Sequence, residues 1–119
     1  MLLVAQIFAG LVLLIHVYIV LLETVLFRTR GAKVFRMDAQ KVELVAPLMV
    51  NQGCYNGFLV AAIAFGFLWP EPAIARALMM FGLACVAVAG LVGGATVMRK
   101  IFFIQTVPAT IALAAYALA

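Results

Sequence analysis

Four apolar blocks, each about as long as a bilayer span, constrain this chain more than any other feature of it. They cover residues 2–27, 44–69, 77–97 and 101–119, and nearly all the charge lies in the gaps between them. A helix needs about 20 residues to cross the hydrocarbon core. Lipid satisfies no backbone N–H or C=O group, so spans of this length must be helices, because a barrel would need many short alternating strands. Composition agrees: 69% of residues are hydrophobic and 10% charged, where a soluble domain is nearer half apolar and about a quarter charged. The expected fold is an all-α membrane protein, a four-transmembrane-helix bundle forming a single membrane domain.

The net charge of +4 would suggest nucleic acid in a soluble protein. Here the basic residues occupy short gaps, where they act as topology signals, and no nucleic-acid partner is expected. Arg28, Arg30, Lys33, Arg36 and Lys41 lie in the first gap, and Arg99 and Lys100 in the third. The second gap holds only Arg76, offset by Glu71. The positive-inside rule puts the first and third gaps in the cytoplasm and both termini on the non-cytoplasmic side. The start "MLLVAQIFAG" has no basic side chain, so the first block is expected to stay attached as a span rather than be removed as a signal peptide. Cys54 and Cys85 both fall inside apolar blocks and read as small packing residues, with no disulfide or metal spacing.

Trp69 followed by "PEP" fits an interfacial aromatic anchor and a helix stop, Pro108 predicts a bend in the fourth helix, and the short third gap implies a tight hairpin. Gly53 and Gly57 on the second helix, and Gly90 and Gly94 on the third, are spaced for close helix packing. That spacing does not distinguish packing within one chain from packing between chains.

The residues that do not belong in lipid are His16 and Glu23 on the first helix, Asn51, Gln52, Tyr55 and Asn56 on the second, and Gln105 on the fourth. Ionisable groups at membrane depth cost several kcal/mol unless paired or hydrated. His16 and Glu23 are seven apart and so share a helix face, while Asn51/Tyr55 and Gln52/Asn56 are i, i+4 pairs forming two adjacent columns. If the first two helices pack antiparallel, Glu23 meets Gln52, and His16 meets Tyr55 or Asn56. The expected result is one buried polar site in the cytoplasmic half, with Gln105 nearby. Such residues also serve as interhelical hydrogen-bonding glue, at about 0.6–2 kcal/mol per bond, and Glu23 is close enough to the helix end to snorkel toward Arg28. A lone histidine without further ligands of suitable type indicates no metal site, and no cofactor can be named. Nucleophile-elbow, phosphate-loop, HExxH and dinucleotide motifs are absent.

The stretches "IHVYIVLLETVLF", "NQGCYNGFLVAAIAFG", "VAGLVGGATV" and "FFIQTVPATIAL" resemble the small bacterial membrane proteins grouped as the domain-of-unknown-function 1304 family. The resemblance spans nearly the whole chain and falls on His16, Glu23, Asn51, Gln52, Gly53, Tyr55, Asn56, Gly57, Gln105 and Pro108, with Cys54 where an aliphatic residue is expected. It implies a multi-pass protein of the bacterial inner membrane and supplies no activity. At fold level there is a looser likeness to the trimeric four-helix membrane enzymes of eicosanoid and glutathione metabolism, whose arginine-rich signature is missing here.

Three functions follow as expectations. In the first, Glu23 acts as base or proton carrier with His16 as its partner, and Asn51, Gln52, Tyr55, Asn56 and Gln105 orient a small-molecule or lipid ligand. The second is a small proton-coupled transporter, for which no inverted repeat is evident. The third is an accessory protein that uses the polar stripe for helix assembly. Beyond the bilayer itself, the expected partners are such a ligand and further copies of the chain in a homo-oligomer.

Overall fold

The computed structural model describes residues 1–119 and is helical throughout. α1 covers Leu2–Glu23, α2 is the short turn Ala32–Val34, α3 covers Ala39–Leu68, α4 covers Pro72–Thr96 and α5 covers Val107–Leu118. Two π-helical turns, Phe27–Gly31 and Phe102–Thr106, complete the chain. α1, α3 and α4 are each long and apolar enough to cross a membrane, and Phe102–Leu118 forms a shorter apolar helix. Large apolar side chains such as Leu3, Leu14, Leu48, Phe58, Phe81 and Val88 face outward. Lipid accommodates such a surface and water does not, so the protein is a helical membrane protein.

The helix ends follow local chemistry. α1 stops at Glu23 rather than continuing to Phe27, because Thr24 leaves helical geometry (φ −116°, ψ −97°) while its hydroxyl donates to the Val20 carbonyl at 2.6 Å. α3 starts at Ala39, five residues before the apolar block, because Asp38 caps it by accepting from the Lys41 N–H at 2.8 Å. Trp69 and Glu71, each followed by proline, are extended (ψ 132° and 119°). A proline ring excludes helical geometry from the residue before it, so this link ends α3 and begins α4 with Pro72 in its first turn. In the last helix the discontinuity at Pro108 takes the form of the π-turn just before it, where the Val107 N–H bonds to the Phe102 carbonyl five residues back. The wider turn relieves the clash between a proline ring and the carbonyl four residues earlier.

The helices form a ring in which α1 packs on α3, α3 on α4, α4 on α5 and its π-turn, and α5 on α1. The buried face of α1, Ala5, Ala9, Val12 and His16, keeps the three-four spacing of a helix stripe. Its alanines join Ala109, Ala112 and Ala115 of α5 in the main core, with Ile63, Leu83 and Val86 from the other helices. Small residues on both sides let the backbones approach, and dispersion then holds them. A second core sits at the other end of α3, where Phe27, Val42 and Ala46 pack with Phe35 and Met37 of the connecting segment.

Glycines set the α3–α4 and α4–α5 distances. A Cβ on Gly82 would lie 2.9 Å from Ile63 Cγ1, and one on Gly66 2.8 Å from Met79 Cβ. Gly90 faces Thr106, where an added Cβ would come within 2.7 Å of the threonine nitrogen, and Gly94 faces Phe102 at 2.8 Å. The Gly90/Gly94 row is therefore filled from within the chain. Gly53 packs against Thr24 and Glu23, whereas Gly57 has nothing within 4 Å of where a Cβ would stand.

Candidate functional site

The candidate site lies at the end of the bundle that carries the basic connecting segment, between the last turn of α1 and the middle of α3. Gly53 makes it: an added Cβ there would be 2.5 Å from Thr24 Cγ2 and 3.3 Å from Glu23 Cβ. Glu23 is thereby pressed into α3 and only 6% exposed. Its Oε1 accepts a hydrogen bond from Asn56 Nδ2 at 2.5 Å.

The partner of Glu23 is Asn56 and not Gln52, for a geometric reason. Helical side chains lean toward the N-terminus of their own helix. On the antiparallel α1 and α3, Glu23 leans away from the basic end and Asn56 leans toward it. They meet from one turn apart, above the Gly53 contact. Arg28 does not draw Glu23 outward either, because it pairs with Glu43 at 2.8 Å across an exposed surface.

The remaining polar residues are distributed differently from a single convergent cluster. Asn51, Gln52 and Tyr55 are exposed on the outer side of α3, with Tyr55 54% exposed and packed edge-on against Phe58. His16 therefore does not meet Tyr55, and it makes no hydrogen bond to Asn56. It is completely buried, and its Nδ1 donates to the Val12 carbonyl at 3.0 Å. Its Nε2 is the one buried side-chain polar atom without a partner. Seven residues separate it from Glu23, roughly 10 Å along the helix. Gln105 is half-buried beside Gly90. Next to it, the Thr106 hydroxyl donates to the Ala87 carbonyl at 2.8 Å.

Three contacts at the helix ends involve residues without a distinct signal in the apolar pattern. Thr24 closes α1, Arg30 bonds the Tyr18 hydroxyl and lies over its ring, and Arg76 donates to the Tyr116 carbonyl at 2.8 Å. The last places a cation on the final carbonyls of α5, where the helix dipole favours it. Each joins residues 4 to 40 positions apart, and only the tight Thr24 bond is local enough to read from spacing.

Fold and site together define a class, a small helical membrane protein with one buried carboxyl held by an amide across the α1–α3 interface. The chain belongs to the DUF1304 family, described as "Protein of unknown function (DUF1304)", whose model matches residues 10–117. No curated protein and no solved structure matches the chain.

Proposed function

We propose that the Glu23–Asn56 layer is the binding site for a small or lipophilic molecule, in a single four-span domain of the bacterial inner membrane with both termini on the non-cytoplasmic side. The observation that carries this reading is the burial of Glu23 with one amide as its side-chain hydrogen-bond partner. Burying a carboxyl in an apolar bundle costs several kcal/mol, and well-packed apolar residues would hold two helices at least as well. A carboxyl with a free oxygen beside an amide can take a hydroxyl, an amine or a proton from a ligand. In this reading Glu23 is the proton-exchanging group and Asn56 orients it. His16, whose Nε2 has no protein partner, is a second contact deeper in the bundle, and Gln105 a third from the last helix. Native mass spectrometry of protein extracted gently from its own membrane tests this. A defined small-molecule adduct present in the wild type and absent in Glu23→Gln supports the site, and an adduct equally retained in that variant removes it.

A second reading rests on Asn51, Gln52 and Tyr55, which face away from the bundle. Amides are both donors and acceptors, so this strip can pair with the same strip of another copy and hold a homo-oligomer. Replacing Asn51 and Gln52 with leucine should then shift the oligomer to monomer in mild detergent without unfolding it.

A further inference from the structure

α3 is 30 residues long, or about 45 Å at 1.5 Å per residue, against a hydrocarbon core of about 30 Å. Tryptophan favours the membrane–water interface, so with Trp69 at one end of α3 the surplus falls at the other, which puts its first turns at headgroup level. There they pack on the connecting segment through the Phe27, Val42 and Ala46 core. This small surface layer carries two open clefts that share Arg28.

The larger cleft, about 470 Å³, has Arg28, Thr29 and Lys33 on its rim and Ala32 and Val42 in its floor. The smaller, about 170 Å³, runs beside Phe27, Ala46, Pro47 and Val50 and reaches Thr24 at the end of α1. One side is therefore basic over an apolar floor, and the other is apolar along the helix that enters the membrane. Glu43 also borders the larger cleft, but it engages only Nη1 of Arg28. The guanidinium keeps further donors, since it carries five, and Lys33 is in no ion pair.

We propose that the two clefts together bind one anionic glycerophospholipid, its phosphate between Arg28 and Lys33 and an acyl chain along Phe27, Ala46, Pro47 and Val50. The site borders the Glu23 layer at Thr24 but uses neither Glu23 nor Asn56. Phosphate recognition needs donors and positive charge, which the rim supplies. A free phosphate ion would gain nothing from the apolar floor and the second cleft, so a lipid is the occupant that uses both. Basic residues elsewhere in the segment attract anionic lipid only as a diffuse charge, whereas this geometry singles out Lys33 and Arg28.

Native mass spectrometry of the full-length protein in detergent tests the proposal, with phosphatidylglycerol and phosphatidylcholine of identical chains titrated in turn and inorganic phosphate in a separate series. The expected result is about fivefold preferential retention of phosphatidylglycerol, reduced about fivefold by Lys33→Gln and unchanged by Lys41→Gln, since one basic residue near a membrane surface has about that effect. The double variant Arg28→Gln/Glu43→Gln, which removes the surface ion pair as a unit, should lose the preference as well. Equal retention of the two lipids overturns the proposal, as does an equal loss in the Lys33 and Lys41 variants, which would make the attraction diffuse. Inorganic phosphate bound as tightly as phosphatidylglycerol also overturns it, because the apolar clefts would then contribute nothing.

Discussion

Glu23 and Asn56 are joined by a 2.5 Å hydrogen bond between α1 and α3, although the backbone contact beneath Glu23 is with Gly53, three residues before Asn56. The offset arises from side chains leaning in opposite directions on antiparallel helices. It makes Gly53 a positioning residue, since its missing Cβ brings the carboxyl within reach of the amide.

Removing the amide leaves a buried carboxyl without its partner. Asn56→Ala should destabilise the protein by about 1–3 kcal/mol, measured as a lowered thermal midpoint in detergent. The double variant Glu23→Leu/Asn56→Leu should recover most of that loss, because an apolar pair needs no partner. An unchanged midpoint in Asn56→Ala would mean the bond contributes nothing.

The glycines are not equivalent, and alanine separates them. Gly90→Ala drives a methyl group into Thr106, and overpacking of this kind costs about 1–3 kcal/mol. Gly57→Ala meets open space and should be neutral or stabilising by up to about 1 kcal/mol, as for glycine in a helix interior. Equal effects of the two substitutions on the unfolding midpoint would contradict the packing described here.

His16 carries a structural cost at Nε2. His16→Leu replaces the imidazole and its unpartnered nitrogen with an apolar side chain, and should raise stability by about 1–3 kcal/mol, the cost of an unsatisfied buried group. The same variant should weaken ligand retention if Nε2 is the contact proposed above. An unchanged or lowered thermal midpoint would contradict the cost assigned to Nε2.

Arg36 has a positive φ of 56°, the only non-glycine residue that does. It closes α2 in a Schellman turn, with Met37 N–H bonded to the Ala32 carbonyl and Arg36 N–H to the Lys33 carbonyl. A left-handed conformation costs an L-residue about 1–2 kcal/mol, so Arg36→Gly should stabilise the connecting segment by roughly that amount. Slower amide hydrogen exchange in residues 32–37 would register it.

The helical membrane character was legible in the chain because it depends on local composition: lipid forces any long apolar segment to bond its own backbone. The same holds for the proline-bounded link after Trp69 and for Asp38 as a cap, whose partners lie within a few residues. Glu23 and His16 stood out for a related reason, since ionisable groups in apolar blocks are conspicuous wherever the helices go. The pairing of Glu23 was harder to read. An antiparallel register read from spacing pairs Glu23 with Gln52, which shares a column of α3 with Asn56, and only the Gly53 contact and the lean of the side chains select Asn56 instead.

Composition and spacing specified that helices form, about where they run and which residues carry unusual chemistry, because those properties depend on side chains and neighbours a turn away. Packing decided that Asn51, Gln52 and Tyr55 point outward, that His16 stands alone in the core, and that Gly90 is filled by Thr106 while Gly57 is not. Each of these depends on helix rotation and register between segments far apart in the chain. The contact of small residues across the bundle sets both.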